Sequence, residues 1–342
     1  MQPDARALYL LMLRCRLFEE AVAGLWQEGL ISGEMHLGTG EEAIIAGVVS
    51  QLCDGDAMAL DHRGTAALLV RGVDARQLLR EMLGRPDGLC GGMGGHMHLF
   101  SREHLAASSG IIGASGPAAA GFALAAQQLR PGSVAVSFFG EGAMNQGMLL
   151  ESMNLAALWK LPVLFVCKDD GWAVTTRPDT STAGSLEERA RGLGVPATAV
   201  DGLDVLGVFA AAGAAIEHAR SGGGPSFLHA RCVHLEGHFL GFELLRLARL
   251  PLREMPAIVG PLMRSLGRRG GAPPGRRLAG LREVLSASQA AARDPARQRA
   301  NDPLNKARSS LDGDPAELRE LEDGVRREVL DIVASAMEEG VA

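Results

Sequence analysis

The sequence predicts an α/β fold, a mostly parallel sheet with helices on both faces. Three observations carry this. First, the apolar run Ser133–Phe139 ends at Gly140-Glu141-Gly142, a helical stretch follows from Met144 to Leu158, and a second apolar run, Val163–Cys167, completes a strand, glycine turn, helix, strand unit. Second, Ala197–Val200, residues 205–219 and Ser226–Val233 repeat the strand, helix, strand order. Third, the 342 residues are 47% hydrophobic but only 4% aromatic, which implies a large aliphatic core of Ala, Leu, Val and Gly.

The elements follow in chain order. Residues 4–30 read as an amphipathic helix, with Leu8, Leu11, Phe18, Val22 and Leu25 near helical spacing. Residues 40–85 alternate helical patterns with short loops. Residues 86–117 are glycine-rich and irregular, and a segment of that length in a compact domain points to a cofactor-facing loop. Ala119–Leu129 is almost all good helix former, so a helix is expected over 118–130. From Arg246 to Arg282 arginines outnumber acids, and 242–300 reads as a basic, Gly/Pro/Arg-rich insertion: a solvated loop, or a contact for an acidic partner surface. Residues 314–338 form a charged helix started by Asp314 or Pro315. The expected organisation is an α/β domain over 1–241, the insertion over 242–300, and a helical segment over 301–342 packing on the domain.

A net charge of −6 argues against nucleic acid as the main partner. The five cysteines, Cys15, Cys53, Cys90, Cys167 and Cys232, have neither metal nor disulfide spacing and suit a reduced compartment as small buried hydrophobes. No apolar run spans a bilayer, and Asp4 interrupts any basic-then-apolar leader pattern. A cytoplasmic protein with no membrane partner is expected.

Both acids of the central unit fall at the carboxyl ends of its strands, where α/β proteins place phosphates and metals. Glu141 and Asp170, twenty-nine residues apart, therefore share one sheet edge, and two oxygen ligands there suit a hard cation such as Mg²⁺. Helix capping is the plainer reading of Glu141, but Glu caps poorly, and its flanking glycines let a phosphate approach the backbone.

The glycine-acid turn and the spacing to Asp170 resemble the thiamine-diphosphate motif. Several ordered segments are similar to the alpha subunit of the 2-oxo acid dehydrogenases, and most to its pyruvate and acetoin branches. They are Met35–Ala43, His62-Arg63-Gly64, Gly94–Leu99, Ser109–Ala114, Gly140–Gly147 with Asn154–Pro162, and Gly237-His238-Phe239. The likeness runs from about residue 8 to about 241. It implies thiamine diphosphate and Mg²⁺ as cofactors, with Glu141, Asp170 and the Trp172 carbonyl as metal ligands. It places His62, Arg63, Gly140, Gly142, Ala143 and Lys168 on the cofactor, with Arg63 suited to a bidentate phosphate contact. It sets Gly110 and Ile112 against the aminopyrimidine ring. His36 and His238 are the proton-transfer candidates, being imidazoles that titrate near neutrality when unperturbed. His96 and His98 read as structural.

The chain departs from the family pattern at several points. Glu141 stands where Asp is usual. Asp169-Asp170 stands for Asn-Asn, a surplus of anion that Lys168 and Arg63 could offset. Glu236-Gly237-His238-Phe239 keeps only the second histidine of His-Gly-His-Ser, as acetoin-type chains do. Gly241 occupies the position of a regulatory serine, and Phe242-Glu243 that of Asp-Pro.

The resemblance implies oxidative decarboxylation of a 2-oxo acid, or acetoin cleavage, with transfer to a lipoyl carrier. The activating glutamate comes from a beta subunit in two-chain members, so an α2β2 heterotetramer is expected, with a lipoyl-bearing acyltransferase as a further partner. Two alternatives stay open: a thiamine-dependent carboligase or decarboxylase without lipoyl transfer, and a non-catalytic alpha-like scaffold.

Overall fold

The computed structural model describes residues 4–174, 176–240, 273, 275–280, 282–283, 286 and 300–338. Most of the basic 242–300 segment lies outside the described residues, as do Gly241, Phe242 and Glu243.

Seven strands form one sheet: β1 (Ala57–Leu60), β2 (Phe100–Ser101), β3 (Ala106–Ser108), β4 (Ala135–Gly140), β5 (Val163–Asp169), β6 (Ala197–Asp201) and β7 (Ser226–Arg231), in the order β2-β3-β1-β4-β5-β7-β6. Every pairing is parallel except β2 with β3. Side chains alternate between the faces, as the two-residue period of a strand requires. Met58, Val136, Phe138, Leu164 and Val166 pack on one face against Ile44, Ile45 and Val48 of α2 (Glu42–Val49), Leu68 of α3 (Thr65–Arg71) and Val208 of a helix between β6 and β7 (Val205–Arg220). Ala59, Ala135, Phe139, Phe165 and Phe227 face the other way, against Ala119, Ala123, Leu149 and Met153 of two helices over Ser115–Leu129 and Gly147–Trp159. With α1 (Ala5–Gln27), α4 (Ala75–Met82) and a short helix Leu186–Gly192 counted, those helices are α5 (Ser115–Leu129), α6 (Gly147–Trp159), α7 (Leu186–Gly192) and α8 (Val205–Arg220).

Three expectations change. The stretch 40–85 contains β1, the strand at the centre of the site, whose four residues are too few to set a period. The 86–117 loop contains the short strands β2 and β3. The helix expected from Met144 begins at Gly147, because Glu141–Asn145 winds first as a 3-10 turn, a common lead-in to an α-helix.

The chain ends in α9 (Pro303–Ser309) and α10 (Pro315–Met337), each started by an aspartate whose carboxylate accepts a backbone N–H, from Leu304 onto Asp302 and from Ala316 onto Asp314. Asp302 grips Arg16 of α1 with two hydrogen bonds of 2.9 and 3.0 Å. Helix α10 lies along α1 and α4, joined by Arg6–Glu317, Tyr9–Glu322 and Arg14–Glu328 at 2.7, 2.7 and 2.9 Å. Among the described residues no helix is long and apolar enough to cross a membrane.

The connections leaving β1 and β4 pass to opposite faces of the sheet, through α3 and α6 respectively. The crevice outside their carboxyl ends is the topological switch point where open α/β sheets bind ligands.

Candidate active site

The crevice is a cavity of about 200 Å³. Asp61, His62 and Arg63 reach it from the end of β1, Gly140–Ala143 from the end of β4, and Lys168, Asp170 and Trp172 from the end of β5. Ser109, Ile111 and Ile112 enter after β3, His234 and His238 after β7, and Glu41 just ahead of α2. Of the residues the resemblance assigns to catalysis, cofactor or metal, His36 and Gly110 do not line it. His36 stands behind the wall, its ring 4.6 Å from His62 and 5.4 Å from His238 between centroids. A side chain at Gly110 would meet Met97 Sδ at 3.2 Å and His98 Nε2 at 3.4 Å, so that glycine serves the packing of its own loop.

The glycine turn is open. A Cβ at Gly140 would find nothing nearer than the Lys168 carbonyl at 3.8 Å, whereas one at Gly142 would press on Ala173 at 3.0 Å. Between them Glu141 is buried, with Oε1 lacking a hydrogen-bond partner. Burial, then the charges of Asp170 and Asp169, push its carboxyl up to about 8. A desolvated carboxylate with a free oxygen, repelled by a second acid, is the donor set a hard cation relieves. The residues present therefore fit a divalent metal and the phosphate it carries.

Asp169 turns away from this site. Its Oδ2 lies 2.7 Å from His229 Nε2, and His229 Nδ1 lies 2.8 Å from Glu187. Lys168 does not offset Asp170 either: its buried Nζ donates to Glu41 at 2.6 Å and to Asp61 at 3.1 Å. Burial disfavours the ammonium, but Asp61 and Glu41 outweigh it and hold the lysine above its usual range. Arg63 directs its two terminal nitrogens to the carbonyls of Leu37 and His238, and its Nε stands 3.9 Å from Glu41. The guanidinium thus anchors the His238 segment to the start of the chain, instead of presenting a free fork to a phosphate.

Glu41 and His234 went unnoticed in the sequence. Glu41, 1% exposed, collects Lys168, His234 at 2.7 Å and Arg63. Burial works against its charge, yet Lys168, His234 and Arg63 hold it well below the usual carboxylate range. His234 Nδ1 approaches Asp170 Oδ2 at 2.8 Å, as an ion-pair contact without hydrogen-bond alignment.

The histidines differ from the expectation of near-neutral titration. Burial comes first, then repulsion from neighbouring imidazoles and Arg63, and together they push His36 and His238 down to about 2. Burial likewise brings His62 and His96 down to about 4. His96 Nε2 accepts from the backbone N–H of His36 at 3.2 Å, so its role is to seat His36. At neutral pH this cluster is uncharged, ready to accept a proton or donate one N–H per ring.

The profile of the family described as "Dehydrogenase E1 component" matches residues 11–241. The alpha subunit of acetoin:2,6-dichlorophenolindophenol oxidoreductase from Cupriavidus necator is 43% identical over 236 residues, 68% of this chain and 71% of that protein. Its Bacillus subtilis counterpart is 40% identical over the same length, 68% of this chain and 71% of that protein. The pyruvate dehydrogenase E1 component subunit alpha of Zymomonas mobilis is 38% identical over 257 residues, 74% of this chain and 73% of that protein. The match spans all seven strands and the whole crevice, and the chain belongs to the dehydrogenase E1 component family.

Proposed function

We propose that this chain is the alpha subunit of a thiamine-diphosphate-dependent oxidoreductase that acts on acetoin or a 2-oxo acid and passes the product fragment to a lipoyl carrier. The observation that carries this is Glu141 at the switch point: a buried carboxylate with an unpartnered oxygen, facing Asp170 across the ends of two adjacent parallel strands. Glu141, Asp170 and the Trp172 carbonyl would hold Mg²⁺, whose charge relieves the two acids. The open turn at Gly140 and His62, just beyond the end of β1, would receive the diphosphate. When bound, thiamine diphosphate supplies a carbanion nucleophile and an electron sink.

The chain's own residues then have distinct tasks. Glu41, Lys168 and Asp61 form a closed set of charges that keeps the ends of β1 and β5 in register. Arg63 fixes the His238 segment. Neutral His238 and His62 have ring nitrogens, Nδ1 and Nε2, with no partner, and these can take or give a proton at the mouth of the cavity. Ile111 and Ile112, 63% and 48% exposed, border that mouth and are suited to excluding water once covered.

An alpha subunit works with a beta partner, and we assign an α2β2 assembly. The cavity of about 200 Å³ falls short of the usual ligand pocket of about 300–1,000 Å³, so a second chain is needed to enclose the cofactor. Exposed Leu124, Leu129, Leu155, Leu158 and Trp159 make an apolar face on α5 and α6 suited to burial in such an assembly. The unit 1–241 is assigned as the catalytic domain, 242–300 as its insertion and 301–342 as a helical clasp, within a cytoplasmic complex that also holds a lipoyl-bearing acyltransferase.

The test is co-expression with a beta-type chain from the same source. The expected product is a stable complex that reduces 2,6-dichlorophenolindophenol with acetoin or pyruvate only when thiamine diphosphate and Mg²⁺ are present. A complex that forms but binds no thiamine diphosphate would overturn the enzyme reading and leave a scaffold. Carboligation without any transfer to lipoamide would overturn the lipoyl step.

A further inference from the structure

We propose that His36, His62 and His238 form a three-histidine site for a borderline divalent transition metal, Zn²⁺, and that zinc held there excludes the diphosphate and blocks proton transfer. The metal site stands on the geometry of this chain alone. Its effect on the diphosphate rests on the function proposed above.

The three imidazoles arrive from separate parts of the fold: His36 from the segment ahead of α2, His62 from the end of β1 and His238 from the segment after β7. One ring nitrogen from each lies within 4.8 Å of the other two. Zinc bound tetrahedrally at about 2.0–2.1 Å spaces its nitrogens about 3.4 Å apart. Closing the triad from 4.8 Å to that spacing moves each nitrogen by less than about 1 Å, within reach of small side-chain rotations.

Two of the rings have an unused nitrogen. His62 Nε2 and His238 Nδ1 are buried without a hydrogen-bond partner, a loss that a bound ion would offset. His36 is seated from behind: His96 Nε2 accepts its backbone N–H at 3.2 Å and lies 3.2 Å from its Nδ1. The contact at Nδ1 leaves Nε2 as the ligand nitrogen, and an outer-shell partner of this kind fixes the orientation of a metal-binding histidine. Burial lowers the proton affinity of all three rings, so protons compete weakly for their lone pairs at neutral pH.

The donors select the metal. Three imidazoles without a carboxylate suit zinc, whereas Mg²⁺ takes oxygen and is served by Glu141 and Asp170. His62 and His238 line the cavity, so a fourth ligand can enter from it. Arg63, bonded to the carbonyls of Leu37 and His238, repels a bare dication. Hydroxide in the fourth position reduces that charge, and zinc-bound water loses its proton near pH 7 in sites of this kind. The ion would occupy the two unpartnered nitrogens assigned to proton transfer, and would take His62 from the diphosphate.

The experiment uses the assembled complex with a beta-type chain, freed of thiamine diphosphate and held in excess Mg²⁺, which competes for the acids. The probes are Co²⁺ and Zn²⁺ alone. Co²⁺ is expected to give the strong visible absorption of a four-coordinate, nitrogen-ligated ion, saturating at one per alpha chain and displaced by Zn²⁺. The weak absorption of octahedral, oxygen-ligated Co²⁺ overturns the proposal. In calorimetric titrations His96→Gln, which removes the outer-shell partner, should weaken zinc binding by about 10–100-fold. His36→Gln and His238→Gln, which each remove a ligand, should weaken it more, and Glu141→Gln should leave it unchanged. Zinc affinity that survives both ligand variants, or that is lost in Glu141→Gln, places the ion elsewhere and overturns the site. If a histidine variant does not assemble, the Co²⁺ spectrum of the parent decides. Rising Zn²⁺ should weaken thiamine diphosphate binding competitively, and simultaneous binding of both overturns the exclusion. Failure of the metal-free parent complex to bind thiamine diphosphate refutes the proposed function instead and leaves the metal site to the Co²⁺ spectrum.

Discussion

Replacing Lys168 by methionine tests whether the charges behind the cavity hold the sheet edge together. The ammonium is 1% exposed and sits 2.6 Å from Glu41 and 3.1 Å from Asp61, which are 2% and 12% exposed. Breaking a buried pair by removing one partner costs about 3–5 kcal/mol, because the other charge is stranded. Glu41 would keep His234 and Arg63, whereas Asp61 would keep only the backbone N–H of Arg63. One stranded acid, and a partly exposed one, places the loss at the low end, about 3 kcal/mol. At about 2–4 °C per kcal/mol for a chain approaching this size, the melting temperature should fall by about 6–12 °C. Differential scanning calorimetry at pH 7.5 measures it. Adding Asp61→Asn removes the stranded charge and should recover most of the loss. A Lys168→Met protein that melts within about 2 °C of the parent, or a double variant that gains nothing, would refute this account of the network.

Three further outcomes are expected. Glu19 is fully buried with Oε1 unpartnered, and burial pushes its carboxyl up to about 8. Its folded pKa exceeds the unfolded one, so its contribution is present below about pH 4.5 and lost as pH rises through 8. The stability of Glu19→Gln relative to the parent should therefore grow with pH across that window, by at most about 1.4 kcal/mol per unit, and urea unfolding at pH 5, 6.5 and 8 would expose a flat difference. The histidine cluster has the opposite sign: folded values near 2 to 4 lie below the unfolded one, so stability is full above about pH 6.5 and falls as the medium becomes acidic. Melting temperatures from pH 7 to 4.5 should drop, and His36→Asn should flatten the slope; an unchanged slope counts against the cluster. Finally, the buried Glu81 carboxylate accepts backbone N–H groups from Cys90, Gly92 and Gly94 at 2.6, 2.8 and 2.6 Å. Glu81→Ala should speed hydrogen exchange at those amides by about tenfold or more, given about 1.5–3 kcal/mol per charge-assisted bond, and protection equal to the parent's would show that the glycine loop holds itself.

The fold was legible where strands were long enough to show an apolar run, as in β4 and β5, and where a helix start carried an acid cap, as at Asp314. Strand β1 was not, although it delivers Asp61, His62 and Arg63, because four residues buried on both sides read like a fragment of helix. The site shows the same division. Motif positions converge on one crevice, since a parallel sheet brings the ends of its strands to one edge by construction. What the motifs could not convey is which charge faces which. Lys168 and Asp170 are neighbours in sequence on a strand end, yet they look to different partners, and the imidazole beside Asp170 comes from sixty-four residues further on. Long-range pairing of that kind has no periodicity to read.

The arrangement of charge also says why the proposed proton-transfer histidines should be neutral. Two side chains that could carry positive charge already face acids, Lys168 two of them and His234 two. A positively charged His238 would sit beside Arg63 with no acid of its own, which is why burial and that guanidinium press its affinity for protons down. The crevice therefore suits two kinds of charge: Glu141, with an unpartnered oxygen beside Asp170, suits a cation, and uncharged His238 beside Arg63 suits an anion. A metal with a polyanionic group answers the first, and negative charge brought near the imidazoles raises their basicity toward the range where proton transfer is efficient. Binding and proton-transfer competence would then arrive in one step, because the same ligand supplies both missing charges.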